Sequence, residues 1–445
     1  MDKRIIGNEL SKFLIDSLKI CKENSDEINF DEEKWPLFYP DGKYKTFEIK
    51  KVPDYDYFVR FIIKNQIQKL VSYKIITKYL VTSNIKQYNK KIQDTNFKQE
   101  SNFVKILPLK FIITYLEQTR DILFEKKEFE ITKEKFFEFL DSPLEDEYIV
   151  PLFNFDSDLK QEKNFGGIII RKISDFEFKN ITKLDEYPNL PVIYKELTDI
   201  MILRVLKEDL ISGYDVAKDK FQILLEAFLL FSDGNPQFGT IHRNMNNPWI
   251  HISNNYEKEV LKQKPLFFRN KDYKKILNIF NDLEKIDFSL KENHFLLIAI
   301  RRFSSALSRN DSIDQFLDLM ICLEALFAPK DKGEITTKLS TRLATLVAKN
   351  EDDRKDYWLF MRKMYNLRSG IVHGEGIRNT EINGKKYEMD DIRQKIIKLV
   401  RESILCYLKL VSRYSGSKKV EKICNDIDLA LLDKKNLTQL RSKLK

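Results

Sequence analysis

The sequence is poor in the residues that build metal centres and covalent cross-links. Its four cysteines, at positions 21, 322, 406 and 424, are widely scattered and form no CxxC pair, and it has only four histidines. This spacing disfavours both a zinc ribbon and a disulfide framework. We therefore expect reduced thiols, with Cys322 and Cys406 inside apolar helix patterns, and no metal ion or other cofactor.

Long apolar runs are also absent. The longest stretches, HFLLIAI and ILLEAFLLF, carry or adjoin charges and fall well short of the roughly 18 residues that a membrane span needs. The N-terminal MDKRIIGNELSKFLIDSLKICKE mixes charges into its apolar positions and lacks a small-residue cleavage site, unlike a signal peptide. We expect a cytoplasmic protein without a transmembrane segment.

Three familiar catalytic motifs are missing. The sequence contains no Walker loop, no HExxH and no GxSxG, which disfavours a nucleotide-driven motor, a zincin and a hydrolase with a nucleophile elbow. The formal net charge of +9 is a mild attraction for a polyanion and falls short of the dense basic face of a dedicated duplex binder. This charge permits RNA as a partner.

Proline is nearly absent from the C-terminal part of the chain, and this divides the sequence. Eleven of the twelve prolines lie at or before Pro265, and only Pro329 follows. Residues 1–285 mix strand-like runs, such as KTFEIKKV and GGIIIRKI, with helical ones, such as DYFVRFIIKNQIQKLVSYKIITKYL. This mixed α/β region has a candidate joint near residue 145 and a helical stretch from about 190 to 231, whereas residues 286–415 read as a helical bundle.

The helices of this bundle follow from apolar residues three to four positions apart. We predict helices over 292–308 and 312–328, the second capped by Asp311, then a third capped by Thr336 or Thr337. A fourth opens at Asp352 or Asp353, and a fifth is capped by Asp390. Residues 416–445 form a basic C-terminal helix or tail, which we expect to dock on the bundle, with an RNA-contacting arm as the alternative.

The fourth helix ends in RSGIVHGEG, residues 368–376, where an arginine and a histidine stand five positions apart. On a regular helix their side chains would point about 140° apart, but Gly370 weakens the helix between them, so they can converge. Histidine titrates near neutral pH and can take a proton from an attacking hydroxyl, while arginine stabilises a phosphate oxygen. His373 and Arg368 therefore suit phosphodiester cleavage by an internal ribose 2′-OH, although this spacing also arises by chance.

The surrounding sequence resembles HEPN domains, particularly the Apea-like HEPN branch. The resemblance runs from DQFLDLMICLEALFAP through KLSTRLATLV to MYNLRSGIVHGEG and covers about residues 290–415. Arg368 and His373 match the two fixed positions of the family's R-x4-6-H motif. The position after the arginine, often Asn, Asp or His in ribonuclease members, is Ser369 here. Glu324, in LEALF, and Arg342, in KLSTRLA, match further polar positions and are candidates without assigned chemistry.

The resemblance implies an α+β N-terminal region followed by an all-α HEPN-type bundle. It further implies a homodimer in which two motifs meet to form one composite, metal-independent endoribonuclease site that leaves 2′,3′-cyclic phosphate ends. It also implies a role in anti-phage defence, with a phage-derived or small-molecule trigger acting on the N-terminal sensor or substrate-positioning region. The alternative is a noncatalytic HEPN dimer that binds RNA or nucleotides, or serves as an interaction module.

Two other groups of residues were weighed as sites. His242 and His251 flank several asparagines and Trp249, but no third metal ligand is evident, so ordinary histidines near a turn are favoured over a small-molecule or base pocket. Glu-x-Lys triplets on strand-like runs, Glu48/Lys50 and Glu177/Lys179, with Asp156 or Asp158 nearby, resemble metal-dependent nuclease motifs. They arise readily by chance in a chain this rich in Glu and Lys, so we do not favour a metal-dependent nuclease.

Overall fold

The computed structural model of the protein describes residues 3–82, 103–141, 145–185, 191–206, 213–244, 249, 260, 263–329, 333–374, 380–382, 385–416 and 418–444. Helices in the first part of the chain are α1 (Lys3–Glu23), α2 (Tyr55–Tyr57), α3 (Lys64–Ile67), α4 (Val71–Thr82), α5 (Phe103–Thr119), α6 (Lys126–Asp141), α7 (Asp175–Thr182), α8 (Val192–Lys195) and α9 (Gly213–Phe231). Those in the later part are α10 (Tyr273–Glu284), α11 (His294–Ser308), α12 (Ser312–Phe327), α13 (Ile335–Val347), α14 (Glu351–Val372), α15 (Met389–Val411), α16 (Lys419–Leu432) and α17 (Lys434–Lys443).

Most strands lie in the first 270 residues. They are β1 (Phe30–Phe38), β2 (Tyr44–Pro53), β3 (Glu145–Phe153), β4 (Phe155–Ser157), β5 (Lys163–Phe165), β6 (Ile168–Lys172), β7 (Asp199–Leu206), β8 (Gln237–Phe238), β9 (His242–Arg243), β10 (Leu266–Phe268), β11 (Thr380–Ile382) and β12 (Lys385–Tyr387). The largest sheet has the order β5-β6-β7-β3-β8, with β9 also paired to β3. β1 and β2 form an antiparallel ribbon, and β4 pairs with β10 in parallel. The predicted strands KTFEIKKV and GGIIIRKI are confirmed as β2 and β6, and the α+β character of the N-terminal region is likewise confirmed.

The chain divides into two compact units. The first comprises residues 1–151, 171–218 and 239–259, and the second comprises residues 152–170, 219–238 and 260–445. The predicted bundle of residues 286–415 lies wholly within the second unit, which also includes several segments that precede it. Residues 145–153 of the candidate joint form the strand β3, most of which is buried.

A helical cluster forms the core of the first unit. α1 buries Ile6, Leu10, Phe13 and Leu18, spaced three to five positions apart, so one apolar stripe faces α4 and α6. Trp249 belongs to this core, with its ring 5.1 Å from that of Phe136.

Two helical predictions in this region are wrong. The stretch predicted as helical from about 190 contains the strand β7, because its apolar run IMIL, residues 200–203, is buried throughout and suits a strand covered on both faces. The predicted helix beginning at DYFVRF is interrupted, since a π-helical turn at Phe58–Ile62 separates α2 from α3 and residues 68–70 separate α3 from α4.

Helices α11 to α15 pack together in the second unit. α12 contacts α11, α13, α14 and α15, and its Cys322, Leu323 and Phe327 are fully buried. The hydroxyl of buried Tyr407, on α15, donates to the carbonyl of Leu326 at 2.5 Å, which joins the two helices at the centre of the core. This confirms a helical C-terminal part of the chain.

The predicted caps of these helices have mixed outcomes. Asp311 caps α12 as predicted, because its carboxylate accepts from the N–H groups of Ile313 and Asp314 at 2.9 Å. Asp352 and Asp353 were predicted to open α14, but the Asn350 side chain performs this role by accepting from the N–H of residue 353. The two aspartates lie in the first turn, where negative charge still favours the helix dipole.

Two further predicted caps are wrong for a similar reason. α13 begins at Ile335 after Glu334, so Thr336 and Thr337 lie inside the helix. α15 begins at Met389, so Asp390 also lies within the first turn. In each case the backbone enters the helix one or two residues before the polar residue that the sequence offers as a cap.

The basic C-terminal segment forms two helices, α16 and α17, rather than one. Ile423 and Ile427 of α16 are buried, whereas Leu431 is 45% exposed. α16 packs on α13 and α15, so the segment docks on the bundle within this unit. In the parts of the chain that the structure describes, no helix combines the length and apolar character needed to cross a membrane.

Candidate active site

Both residues of the RSGIVH motif stand at the C-terminal end of α14. This helix has 22 residues, is capped by Asn350, and buries Phe360, Met361 and Met364 on one face. It packs along α13 and also contacts α12. The motif is therefore held at the end of a long, anchored helix rather than on a free loop.

Arg368 lies against Glu324 of α12. Its Nε is 3.3 Å from one carboxylate oxygen and its Nη2 is 3.5 Å from the other. The shorter contact lacks hydrogen-bond geometry and the longer is at the limit, so the pair is loose and the guanidinium keeps donors for another partner. The side chains are 27% and 24% exposed, which leaves the cation within reach of solvent.

Two further groups set the electrostatics of Arg368. Burial raises the pKa of the Glu324 carboxyl, and the nearby positive charge of Arg368 lowers it in part. The ring of Tyr365, three residues earlier on α14, has its centroid 5.8 Å from the guanidinium carbon. Burial raises the pKa of Tyr365, with the Glu324 charge adding to the effect. The cation is thus steadied by one carboxylate and one ring face.

His373 caps the C-terminal end of the same helix. Its N–H donates to the carbonyls of Ser369 and Gly370 at 3.1 Å, and Gly374 adopts a φ of +84°, a left-handed conformation that ends the helix. The imidazole is exposed, and within the described ranges no side-chain hydrogen bond or ion pair engages it. Its ring is open to an incoming ligand or a second protein copy.

The expectation that Gly370 weakens the helix enough for the side chains of Arg368 and His373 to converge is wrong. α14 continues through this glycine to Val372, because the backbone N–H groups beyond it still find carbonyl partners one turn earlier. Five residues on a continuous helix turn the side-chain direction by about 140°. Arg368 therefore points toward α12 while His373 points elsewhere, and the helix end does not bring them together within one chain.

Ser369 and Arg342 take different positions. Ser369 is half-buried beside Arg368, and its carbonyl accepts from the N–H of His373. Arg342, on α13, is buried and donates to both carboxylate oxygens of Asp428 at 2.9 and 2.8 Å and to the carbonyl of Phe327 at 2.5 Å. These contacts give Arg342 a clear structural role in joining α12, α13 and α16.

Tyr365 was not among the site residues predicted from the sequence. It is half-buried and lies beside Arg368. The signal that could have identified it is its spacing, since residues three apart on a helix are neighbours.

The alternative histidine site gains little from the structure. His242 is buried and lies in the short strand β9, paired with Ile149 of β3. Trp249 is a core residue, and His251 lies outside the described residues. Among the described side chains, no group of three or more His, Cys, Asp or Glu residues is placed to hold a metal ion.

The Glu-x-Lys triplets occupy unlike settings. Glu48 and Lys50 form a surface ion pair at 2.8 Å on β2. Glu177 and Lys179 lie on the helix α7 rather than on a strand, because Ser174 and Glu177 form a capping box that starts a helix there. Of the nearby carboxylates, Asp158 accepts from the backbone N–H of Asn270. Each triplet thus has local structural partners.

Comparisons with known proteins identify no relative. No family model, no curated protein and no solved structure matches this chain. The HEPN resemblance stays a prediction, and the function has to be argued from the geometry at the end of α14.

Proposed function

We propose that the chain is a metal-independent endoribonuclease with a composite R-x4-H site formed by two copies. The observation that carries this proposal is the end of α14, where an exposed imidazole with no side-chain partner among the described residues follows a partly exposed, loosely held guanidinium. These are the two groups that cleavage by an internal 2′-OH needs, a proton carrier and a fixed cation. Both lie at the end of one anchored helix.

The angle between the two side chains favours a dimer. Arg368 and His373 point about 140° apart on the continuous helix, so one chain offers them in different directions. A second copy related by a two-fold axis through this helix end would place its own pair opposite, so that an arginine of one copy faces a histidine of the other. The site is thus complete only in the pair.

The chemistry then follows from acid–base balance. His373 of one copy takes the proton of the ribose 2′-OH as the 2′-oxygen bonds to phosphorus. The bond from phosphorus to the 5′-oxygen breaks, and the second histidine supplies a proton to that leaving oxygen. Arg368 stabilises the charge on the non-bridging oxygens. The products are a 2′,3′-cyclic phosphate and a 5′-hydroxyl.

The biological setting is proposed by analogy with the Apea-like HEPN branch. It is cleavage of RNA in the cytoplasm during defence against phage, restrained until a phage-derived or small-molecule trigger acts on residues 1–285. The mixed α/β architecture of this region provides structure for a sensor beyond what a nuclease bundle alone requires.

A noncatalytic HEPN dimer that binds RNA or a nucleotide is the second candidate. The observation that favours it is the ion pair between Arg368 and Glu324, which already neutralises the cation that the reaction would use. In that case RNA affinity survives the loss of His373 and there is no turnover to lose.

The test is cleavage of a mixed RNA pool in EDTA by wild type, His373→Ala and Arg368→Ala. His294→Ala, which removes an exposed histidine at the start of α11, is the matched control. Loss of the acid–base group should slow cleavage by about 10²- to 10⁴-fold, and loss of the cation by about 10²- to 10³-fold. Equal cleavage by wild type and His373→Ala would overturn the proposal.

A further inference from the structure

The segment that leads to His373 combines positive charge with aromatic rings. Residues 357–373, YWLFMRKMYNLRSGIVH, contain three basic and four aromatic residues and no Asp or Glu. The acids of α14 are confined to its first two turns. Binding surfaces for single-stranded nucleic acid combine these same two features, positive charge and aromatic rings without acids.

Helical spacing gathers part of this segment into one stripe. Trp358, Arg362, Ser369 and His373 stand four, seven and four residues apart, so their side chains leave α14 within about 60° of one another. Arg362 and His373 are exposed, and Trp358 and Ser369 are half-buried. The stripe is thus an accessible face that runs roughly 22 Å along the helix and ends at the proposed proton carrier.

Trp358 and Arg362 form a preassembled pair at the far end of this stripe. The guanidinium carbon of Arg362 lies 4.8 Å from the centroid of the Trp358 ring. In the part of the chain that the structure describes, Arg362 has no carboxylate partner, in contrast to Arg368 and to Lys395, which pairs with Asp356 at 2.7 Å. The arginine plane is held by the ring alone, so its five N–H donors stay available.

We infer that this stripe, defined by Trp358, Arg362, Ser369 and His373, binds the single-stranded RNA that flanks the scissile bond. A base stacks on the Trp358 ring, Arg362 contacts a backbone phosphate, and the strand runs along α14 to His373. This inference rests on the proposed function, because the bound RNA strand is taken to be the substrate that is cleaved at His373. It adds a stacking and phosphate-binding site remote from the reacting bond.

At the end of the stripe formed by Trp358 and Arg362, remote from the proposed two-fold axis at His373, the charge pattern favours RNA over a second copy as the occupant. In a two-fold contact made by this end of the stripe, the Arg362 cation would meet its own like-charged copy. No acid within residues 357–373 would offset that repulsion. A polyanion with stackable bases is complementary to both features of the stripe.

The experiment measures binding without turnover. The wild-type chain is titrated in EDTA against a short fluorescein-labelled 2′-O-methyl oligoribonucleotide, which lacks the attacking hydroxyl, and anisotropy gives the Kd. Trp358→Ala should bind about 5- to 150-fold more weakly, the range expected for loss of one base–aromatic stack. Trp358→Phe should restore most of the affinity. Arg362→Ala should also weaken binding and reduce the slope of log Kd against log salt by about 0.7, as for one phosphate of a single strand.

Matched controls are Phe267→Ala, which removes an aromatic ring that is 62% exposed, and Arg413→Ala, which removes an exposed arginine. Neither should change the Kd. The inference is overturned if wild type does not bind the oligonucleotide, or if Trp358→Ala and Arg362→Ala bind like wild type. Conversion of a dimer to a monomer by Trp358→Ala would also overturn it, in favour of a contact between copies.

Cleavage of unmodified RNA, assayed in parallel, separates this inference from the proposed function. If Trp358→Ala binds weakly but wild type cleaves nothing, the stripe is an RNA-binding site and the nuclease proposal fails. If wild type cleaves and Trp358→Ala cleaves and binds equally well, the nuclease proposal stands and the stripe does not bind substrate.

Discussion

Replacement of Arg342 by alanine tests whether this residue is structural. Its guanidinium is buried and donates to the carbonyl of Phe327, at the C-terminal end of α12, and to Asp428 of α16. The carbonyl would lose a charged donor, which costs about 1.5–3 kcal/mol. Asp428, whose side chain is 46% exposed, regains water, so its ion pair contributes at most about 1 kcal/mol. The free energy of unfolding should fall by roughly 2–4 kcal/mol.

The assay is thermal unfolding of the full chain. This loss should lower the Tm of the transition that involves the second unit by roughly 5–10 °C, and Asp428→Asn should lower it by only a few degrees. Arg342→Lys keeps the charge but not the planar fork, so its Tm should fall between wild type and Arg342→Ala. A Tm for Arg342→Ala within about 2 °C of wild type would refute the argument. If RNA cleavage were lost at that unchanged Tm, Arg342 would be acting on the substrate instead.

Three further changes have expected outcomes. Burial raises the pKa of Glu226 from 4.5 to about 7, so the folded chain holds a proton that the unfolded chain releases, and stability falls as pH rises from about 4.5 to about 7. The Tm of Glu226→Gln relative to wild type should therefore rise across this window and level off above it, and a difference that is constant with pH would contradict this. Asn350→Ala removes the α14 cap and should cost about 1 kcal/mol in unfolding measurements, whereas Asp352→Ala, as its control, should cost less. Gly374→Ala strains a residue at φ +84° and should cost about 1 kcal/mol, while Gly333→Ala, at an open position without positive φ, should be nearly neutral.

Helix periodicity predicted much of the C-terminal fold, because it depends on local spacing. Ile392, Ile396 and Tyr407, for example, recur at helical spacing and are buried on α15. The capping residues were harder to predict from the sequence, because the choice between Asn350 and Asp352 depends on which residue leaves the helical conformation. Strand β7 was missed because a buried apolar run has no alternation to distinguish it from a helix.

The candidate site was only partly accessible from sequence. The positions of Arg368 and His373 at a helix end followed from the apolar pattern that stops there. The continuity of α14 through Gly370 could not be predicted from the sequence. One glycine costs a helix only about 1 kcal/mol, and tertiary packing can offset that cost. The ion pair of Arg342 could not be predicted either, because its partner on α16 lies 86 residues further along the chain.

The most direct test of the central claim uses an RNA with a single 2′-deoxy nucleotide at a mapped cleavage position, incubated with the wild-type chain in EDTA. Attack by the internal hydroxyl predicts that cleavage stops at that position alone, while neighbouring sites still give 2′,3′-cyclic phosphate and 5′-hydroxyl ends. Cleavage that continues at the deoxy position, or that leaves a 5′-phosphate, would contradict the roles of His373 and Arg368.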